Sequence, residues 1–161
     1  MQKQSLTRLI PAEPRHVAEL RCWFTDRQSL QSWGGPHFRF PFDAESFAHD
    51  AALDRMDSFA LLDEHDAMLG FGQYYAKLSR VHLSRVGVHP DRRGAGLGQT
   101  LVRKLMQAGR QKFGFDEFSL YVMADNPAAI ACYRRSGFQP ADLPLGESHG
   151  PGILFMICRP G

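Results

Sequence analysis

The chain has 161 residues, 43% of them hydrophobic and 22% charged, and 19 Lys and Arg against 17 Asp and Glu give a formal charge of +2. That length suits a single domain over residues 1–161, able to bury roughly 70% of the surface its unfolded chain exposes, and the scattered basic residues exclude the charged face that nucleic-acid or membrane binding would need. Cys22, Cys132 and Cys158 are odd in number, far apart and without metal-ligand spacing, which points to reduced cytoplasmic thiols and no metal.

In chain order, residues 6–10 read as an edge strand, and the Glu13-Pro14 step leads into a helix carrying Val17, Leu20 and Phe24 at helical spacing. Residues 26–43 form a long irregular aromatic segment. Asp43 caps a second helix that runs to about Arg55. Strands near 58–63 and 68–77 follow, joined by the polar turn Asp63-Glu64-His65-Asp66. A tight turn near 77–80 makes the next strand, 80–88, their neighbour. Within it Val81 and Leu83 alternate in one phase and Val86 and Val88 in the other, so a residue has slipped in near Ser84 and Arg85. A bulge there would free backbone groups from the ladder; the alternative is an unbulged strand buried on both faces.

Val86-Gly87-Val88-His89-Pro90 then passes into Arg92-Arg93-Gly94-Ala95-Gly96-Leu97-Gly98-Gln99-Thr100. Glycines at 94, 96 and 98 permit positive φ and leave no Cβ in the way, so successive N–H groups can turn toward one point at the start of a helix. Those amides, with the helix dipole and Arg92 and Arg93 at the rim, make a cradle suited to a diphosphate. Gly98 is followed by Gln99, which rules out the NTPase phosphate loop, and the third glycine comes one residue too early for the dinucleotide fingerprint. The plain alternative is a glycine-rich turn. Leu97, Leu101 and Leu105, with Val102, Met106 and Phe113, mark the apolar face of the helix that follows, which ends near Gly114.

Residues 116–123 form a fifth strand. Asn126 is a good N-cap, Pro127 fits the first helical position and Gly137 supplies the stop, so a short helix covers about 127–136. Ala128, Ala129 and Ala131 keep it slim, and Tyr133 lies two turns after the cap; taken alone it would serve as a packing aromatic. Phe138 begins a short strand and residues 153–159 close the sheet, the apolar run 153–158 being too short to cross a bilayer.

Val-x-Val-x-Pro, then Arg-x-x-Gly-x-Gly from Arg93 to Gly98, then Asn126, Ala129, Tyr133 and Gly137-Phe138 resemble, in order and spacing over about residues 79–139, the GCN5-related N-acetyltransferases. The resemblance implies a mixed α/β fold, a mostly antiparallel sheet of about six to seven strands with about four helices and a bulged fourth strand. It implies acetyl-CoA as co-substrate and a small-molecule amine, or a peptide or protein amine, as acceptor, and family members often form homodimers. Backbone groups of Val86, Gly87 and Val88 would pair with the pantetheine arm, and amides of Arg93, Gly94, Ala95, Gly96, Leu97, Gly98 and Gln99 would hold the diphosphate. Asn126 would contact the cofactor, and Tyr133 would aim its hydroxyl at the thioester sulfur and protonate the leaving thiolate. His82 stands four residues before Val86, where histone and serotonin acetyltransferases carry a Glu or His base; otherwise it is a structural histidine, with His37, Glu45 and Glu147 in reserve.

The aromatic segment from Trp33 to Phe42 is the expected acceptor wall, with Trp33 and Phe38 on the substrate, unless its rings plug a satellite core. Residues 143–152, with Glu147 and His149, are the second wall. The expected reaction is direct attack of an amine on the thioester in a ternary complex, without a covalent enzyme intermediate. A non-catalytic acyl-CoA-binding or sensing module on the same fold is the alternative.

Overall fold

The computed structural model describes residues 6–147 and 149–159. Strands β1 (Arg8–Pro11), β2 (Asp57–Leu62), β3 (Met68–Lys77) and β4 (Arg80–Val88) form an antiparallel meander, and β5 (Phe118–Met123), β7 (Ile153–Cys158) and β6 (Gln139–Pro140) complete a seven-stranded sheet in the order β1-β2-β3-β4-β5-β7-β6. β5 pairs antiparallel with β7, and β6 with β7. Only the β4–β5 joint is parallel, because it is crossed by a helix rather than a hairpin.

Helix α4 (Leu97–Phe113) follows the expected bounds and presses Leu101, Val102 and Leu105 onto one face of the sheet. Gly70 and Gly72 of β3 admit it: a Cβ on Gly72 would lie 2.5 Å from Leu105 Cδ1. Phe71, between them, points to the opposite face, where Leu20, Leu30, Phe38 and Phe47 build a second core. Two layers of side chains thus sandwich the sheet. α5 (Pro127–Arg135) begins at Asn126, whose Oδ1 accepts from the N–H of Ala129 at 3.2 Å.

Three expectations about the first third are corrected. Residues 26–43 contain a helix, α2 (Arg27–Gly34), capped by Asp26 accepting from the Ser29 N–H at 2.7 Å. α1 (Pro14–Arg21) stops before Phe24, and α3 (Ala44–Asp50) ends well short of Arg55, where Ala52 takes a φ of 52° and turns the chain. With α2 the described residues hold five α-helices.

The slip in alternation along β4 is a bulge. Phe71 pairs with Gly87 and Gln73 with Ser84, so Arg85 and Val86 together stand against Gly72. Arg85 takes the left-handed φ of 48° that the extra residue demands.

Candidate active site in the strand fork

β4 and β5 pair only from Val81↔Phe118 to Leu83↔Leu120. Beyond that point β4 bends away at its bulge while β5 stays with β7 as far as Met123↔Ile153. The strands part, and a cleft of about 710 Å³ runs through the fork, walled by α2, β4, the glycine loop, β5 and α5. The bulge opens the cleft.

The bulge is held from both sides. Trp33 Nε1–H donates to the Arg85 carbonyl at 2.8 Å, and its indole stacks on Phe47 with 10° between planes and 5.9 Å between centroids. Gly87 must be glycine here, since a Cβ would lie 2.9 Å from Trp33 Cδ1. On the other side Arg85 Nη1 donates to Gln73 Oε1 at 2.9 Å, and the buried Gln73 amide donates to Ala51 O at 2.8 Å and Ser58 Oγ at 2.9 Å. The broken alternation marks where the bulge falls. Its supports, Gln73 and the Arg85 side chain, carry no local signal.

Past β4, a short 3-10 turn (Pro90–Arg92) leads into Gly94 and Gly96, with φ of 84° and 76°. Gly96 is the N-cap of α4 and no side chain caps the helix, so the first amides, those of Leu97, Gly98 and Gln99, lack internal partners. Arg92 and Arg93 line this end of the cleft and Arg135 joins them from α5; Ala95 is exposed and lies off the wall. Gly98 lets α5 approach, because a Cβ would come within 3.0 Å of Cys132 Sγ. The loop presents donors and positive charge to one space, which is what a diphosphate requires.

The described walls bring together Trp33, His82, Val86, Gly87, Val88, Arg93, Gly94, Gly96, Leu97, Gly98, Gln99, Asn126 and Tyr133. Tyr133 is 8% exposed, its ring edge-on to Phe138, and no described residue hydrogen-bonds its hydroxyl. Burial raises its pKa well above that of an ordinary phenol, so it stays protonated. His82 is 2% exposed, between the rings of Tyr75 and Tyr121, with Nδ1 2.8 Å from Ser119 Oγ. Burial, aided by the nearby charge of Lys77, pulls its pKa down to about 3. It is a neutral imidazole.

Phe38 does not reach the cleft. It is 3% exposed within the second core, and a Cβ on Gly34 would lie 2.4 Å from its ring; Trp33 alone of the two forms the wall. His37 and Glu45 are exposed and lie off the cleft. Of the expected second wall, Ser148 is outside the described residues; Glu147 accepts from Lys77 at 3.1 Å, Lys77 also donates to the Tyr121 hydroxyl at 3.1 Å, and His149 packs edge-on to Tyr121. This segment buttresses the cleft from behind Tyr121.

A model of the acetyltransferase (GNAT) family matches residues 17–138. The chain belongs to the GNAT acetyltransferase family. Among GNAT sequences, the mycothiol acetyltransferase of Saccharomonospora viridis is 40% identical over 65 residues, which is 40% of this chain and 21% of that protein. The chain thus spans about a fifth of that relative's length. Among solved GNAT structures, the spermidine N-acetyltransferase of Vibrio cholerae in complex with CoA and spermine superposes with a TM-score of 0.71 at 17% identity, covering 94% of both chains. The ribosomal-protein-S18-alanine N-acetyltransferase of Escherichia coli superposes with a TM-score of 0.63 at 22% identity, over 95% of this chain and 93% of that one. At these identities the likeness is one of fold. No helix among the described residues is long and apolar enough to cross a membrane, and no group of three His, Cys, Asp or Glu among them could hold a metal ion.

Proposed function

We propose that this GNAT chain is an N-acetyltransferase that passes the acetyl group of acetyl-CoA to a primary amine by direct attack in the fork. The observation that carries the reading is one cleft that joins an opened strand, an uncapped helix start and Tyr133. The amides of Leu97, Gly98 and Gln99, with Arg92 and Arg93, would hold the diphosphate, and the open edge of Val86, Gly87 and Val88 would pair with the pantetheine arm. Bound acetyl-CoA supplies an acetyl group already activated as a thioester.

The chain's own groups account for the remaining steps. The His89 N–H bonds back to Leu69 O on β3 at 2.8 Å. By strand alternation the Val88 N–H therefore turns toward the open side, where it is placed to stabilise the oxyanion that develops on the thioester carbonyl. Tyr133 donates a hydrogen bond to the departing sulfur. Full transfer from even an unshifted phenol at about 10 to a thiolate of about 8.5 costs about 2 kcal/mol, so hydrogen-bond donation is the larger part of its role.

The resemblance offers His82 either as the base or as a structural histidine, and its burial speaks against the base. Taking a proton from an alkylammonium of about 10.4 onto an imidazole held near 3 would cost about 10 kcal/mol. The amine arrives neutral, His82 accepts a hydrogen bond that orients it, and the proton the nitrogen loses as the amide forms passes to the departing thiolate, giving free CoA thiol. Replacing Tyr133 by Phe tests the proposal. Thiol release with a reactive amine should fall about 10–100-fold in kcat, while the calorimetric dissociation constant for acetyl-CoA stays within about twofold. An unchanged kcat removes Tyr133 from the chemistry.

A further inference from the structure

The acceptor half of the fork has a charge pattern that the glycine loop does not explain. Arg92, Arg93 and Arg135 stand at the glycine-loop end; Arg85 is the other charged residue of the wall, and among the described residues no Asp or Glu lines the cleft. Away from the glycine loop the lining includes Trp33, Pro36, His82, Tyr121 and Met123, with the uncharged polar residues Ser29, Gln31, Ser32 and Ser84, and His82 is itself uncharged. The nearby carboxylate of Glu147, behind Tyr121, is bonded to Lys77, and the Lys77 ammonium is itself 3.1 Å from the Tyr121 hydroxyl. A cation entering the fork finds no carboxylate on the wall, and the nearby carboxylate of Glu147 is already paired with Lys77.

Building on the acetyl-transfer reading above, we propose that the acceptor is a monoamine whose remaining body is uncharged and apolar, and that polyamines are excluded. The reacting amine can enter neutral, because it must lose its proton before it attacks. A polyamine would also have to bring in one or more ammonium groups that do not react. Each would shed water against a wall with no carboxylate to receive it, and cation–π contact with Trp33 or Tyr121 returns only part of that cost. An uncharged body carries no such penalty, and it gains by covering Trp33, Tyr121 and Met123.

The test reads binding rather than turnover. Calorimetry would compare CoA with two bisubstrate conjugates, in which an acetyl bridge joins its sulfur to phenethylamine or to spermidine. The phenethylamine conjugate should bind at least about tenfold more tightly than CoA and the spermidine conjugate less than about threefold more tightly. A spermidine gain equal to or larger than the phenethylamine gain overturns the proposal, as does no gain from phenethylamine. No heat from CoA itself would overturn the acetyl-CoA reading instead, so the two failures are told apart. Ser32 is an exposed residue of α2 on the cleft wall. Ser32→Asp should raise the affinity of the spermidine conjugate about fivefold while leaving that of the phenethylamine conjugate within about twofold. If that variant gives spermidine no gain, charge is not what excludes it and the proposal fails.

Discussion

Trp33 supplies with one indole N–H what a paired strand would otherwise provide. A bulge strands backbone groups, and a buried carbonyl left without a donor costs about 1–3 kcal/mol. The Arg85 carbonyl avoids that cost through its 2.8 Å bond from Trp33, and Arg85 keeps its φ of 48° because the Gln73 contact fixes the other end of the residue. Trp33 is therefore a positioning residue for the opened edge as well as a cleft wall. Trp33→Phe keeps an aromatic ring against Phe47 but removes the donor together with the second ring of the indole. Steady-state kinetics should show kcat/KM for acetyl-CoA falling about 5–10-fold, the equivalent of about 1 kcal/mol, with a melting temperature lowered by no more than about 4 °C. A lowered melting point with unchanged kcat/KM would mean that the bond supports the fold but not the site.

The elements that build the fork depend on how closely α4 lies against the sheet. Gly109 faces Val81 of β4, which is fully buried, and a Cβ there would sit 2.4 Å from Val81 Cγ1. Gly109→Ala improves helix propensity by about 1 kcal/mol, yet overpacking a stiff β-branched neighbour costs about 1–3 kcal/mol, and so severe an overlap belongs at the upper end. Thermal unfolding should show a net loss of about 1–2 kcal/mol, a fall of about 2–8 °C; a stabilised variant would show that α4 can lift freely. Elements of this kind were legible in the sequence where their signals are local. The slipped alternation, the spaced glycines and the Asn126-Pro127 start each act within a few residues, and the structure puts the bulge, the loop and α5 where those signals fall. α2 escaped because Leu30 is its one fully buried residue and its cap, Asp26 with Ser29, is embedded in aromatic and glycine-rich sequence. The role of Phe38 escaped for another reason. Whether an aromatic fills a core or faces a ligand is decided by Gly34, Phe47 and Arg85 meeting it in three dimensions, and no spacing encodes that.

At the scale of the whole molecule, the cleft gathers several arginines into a protein whose net charge is only +2. That concentration of like charge, together with amides left uncapped, disfavours the empty fork and is relieved when an anion occupies it. A ligand that binds only the folded state stabilises it by RT ln(1 + [L]/Kd), about 2.7 kcal/mol at one hundred times Kd. For a chain of 161 residues that corresponds to a rise of about 5–11 °C in melting temperature. Acetyl-CoA should produce that rise in the unmodified protein. Gly96→Asp separates the cradle from the fold, because Gly96 adopts a φ of 76° that Asp tolerates better than most side chains, and an added Cβ meets nothing within 4 Å. The variant alone should melt about 2–4 °C lower. With a carboxylate projecting beside the amides of Leu97 and Gly98, its acetyl-CoA-dependent rise should shrink below about 2 °C. If the variant kept the full rise, the diphosphate would not lie on this loop, and the orientation assigned to the coenzyme through the fork would be wrong.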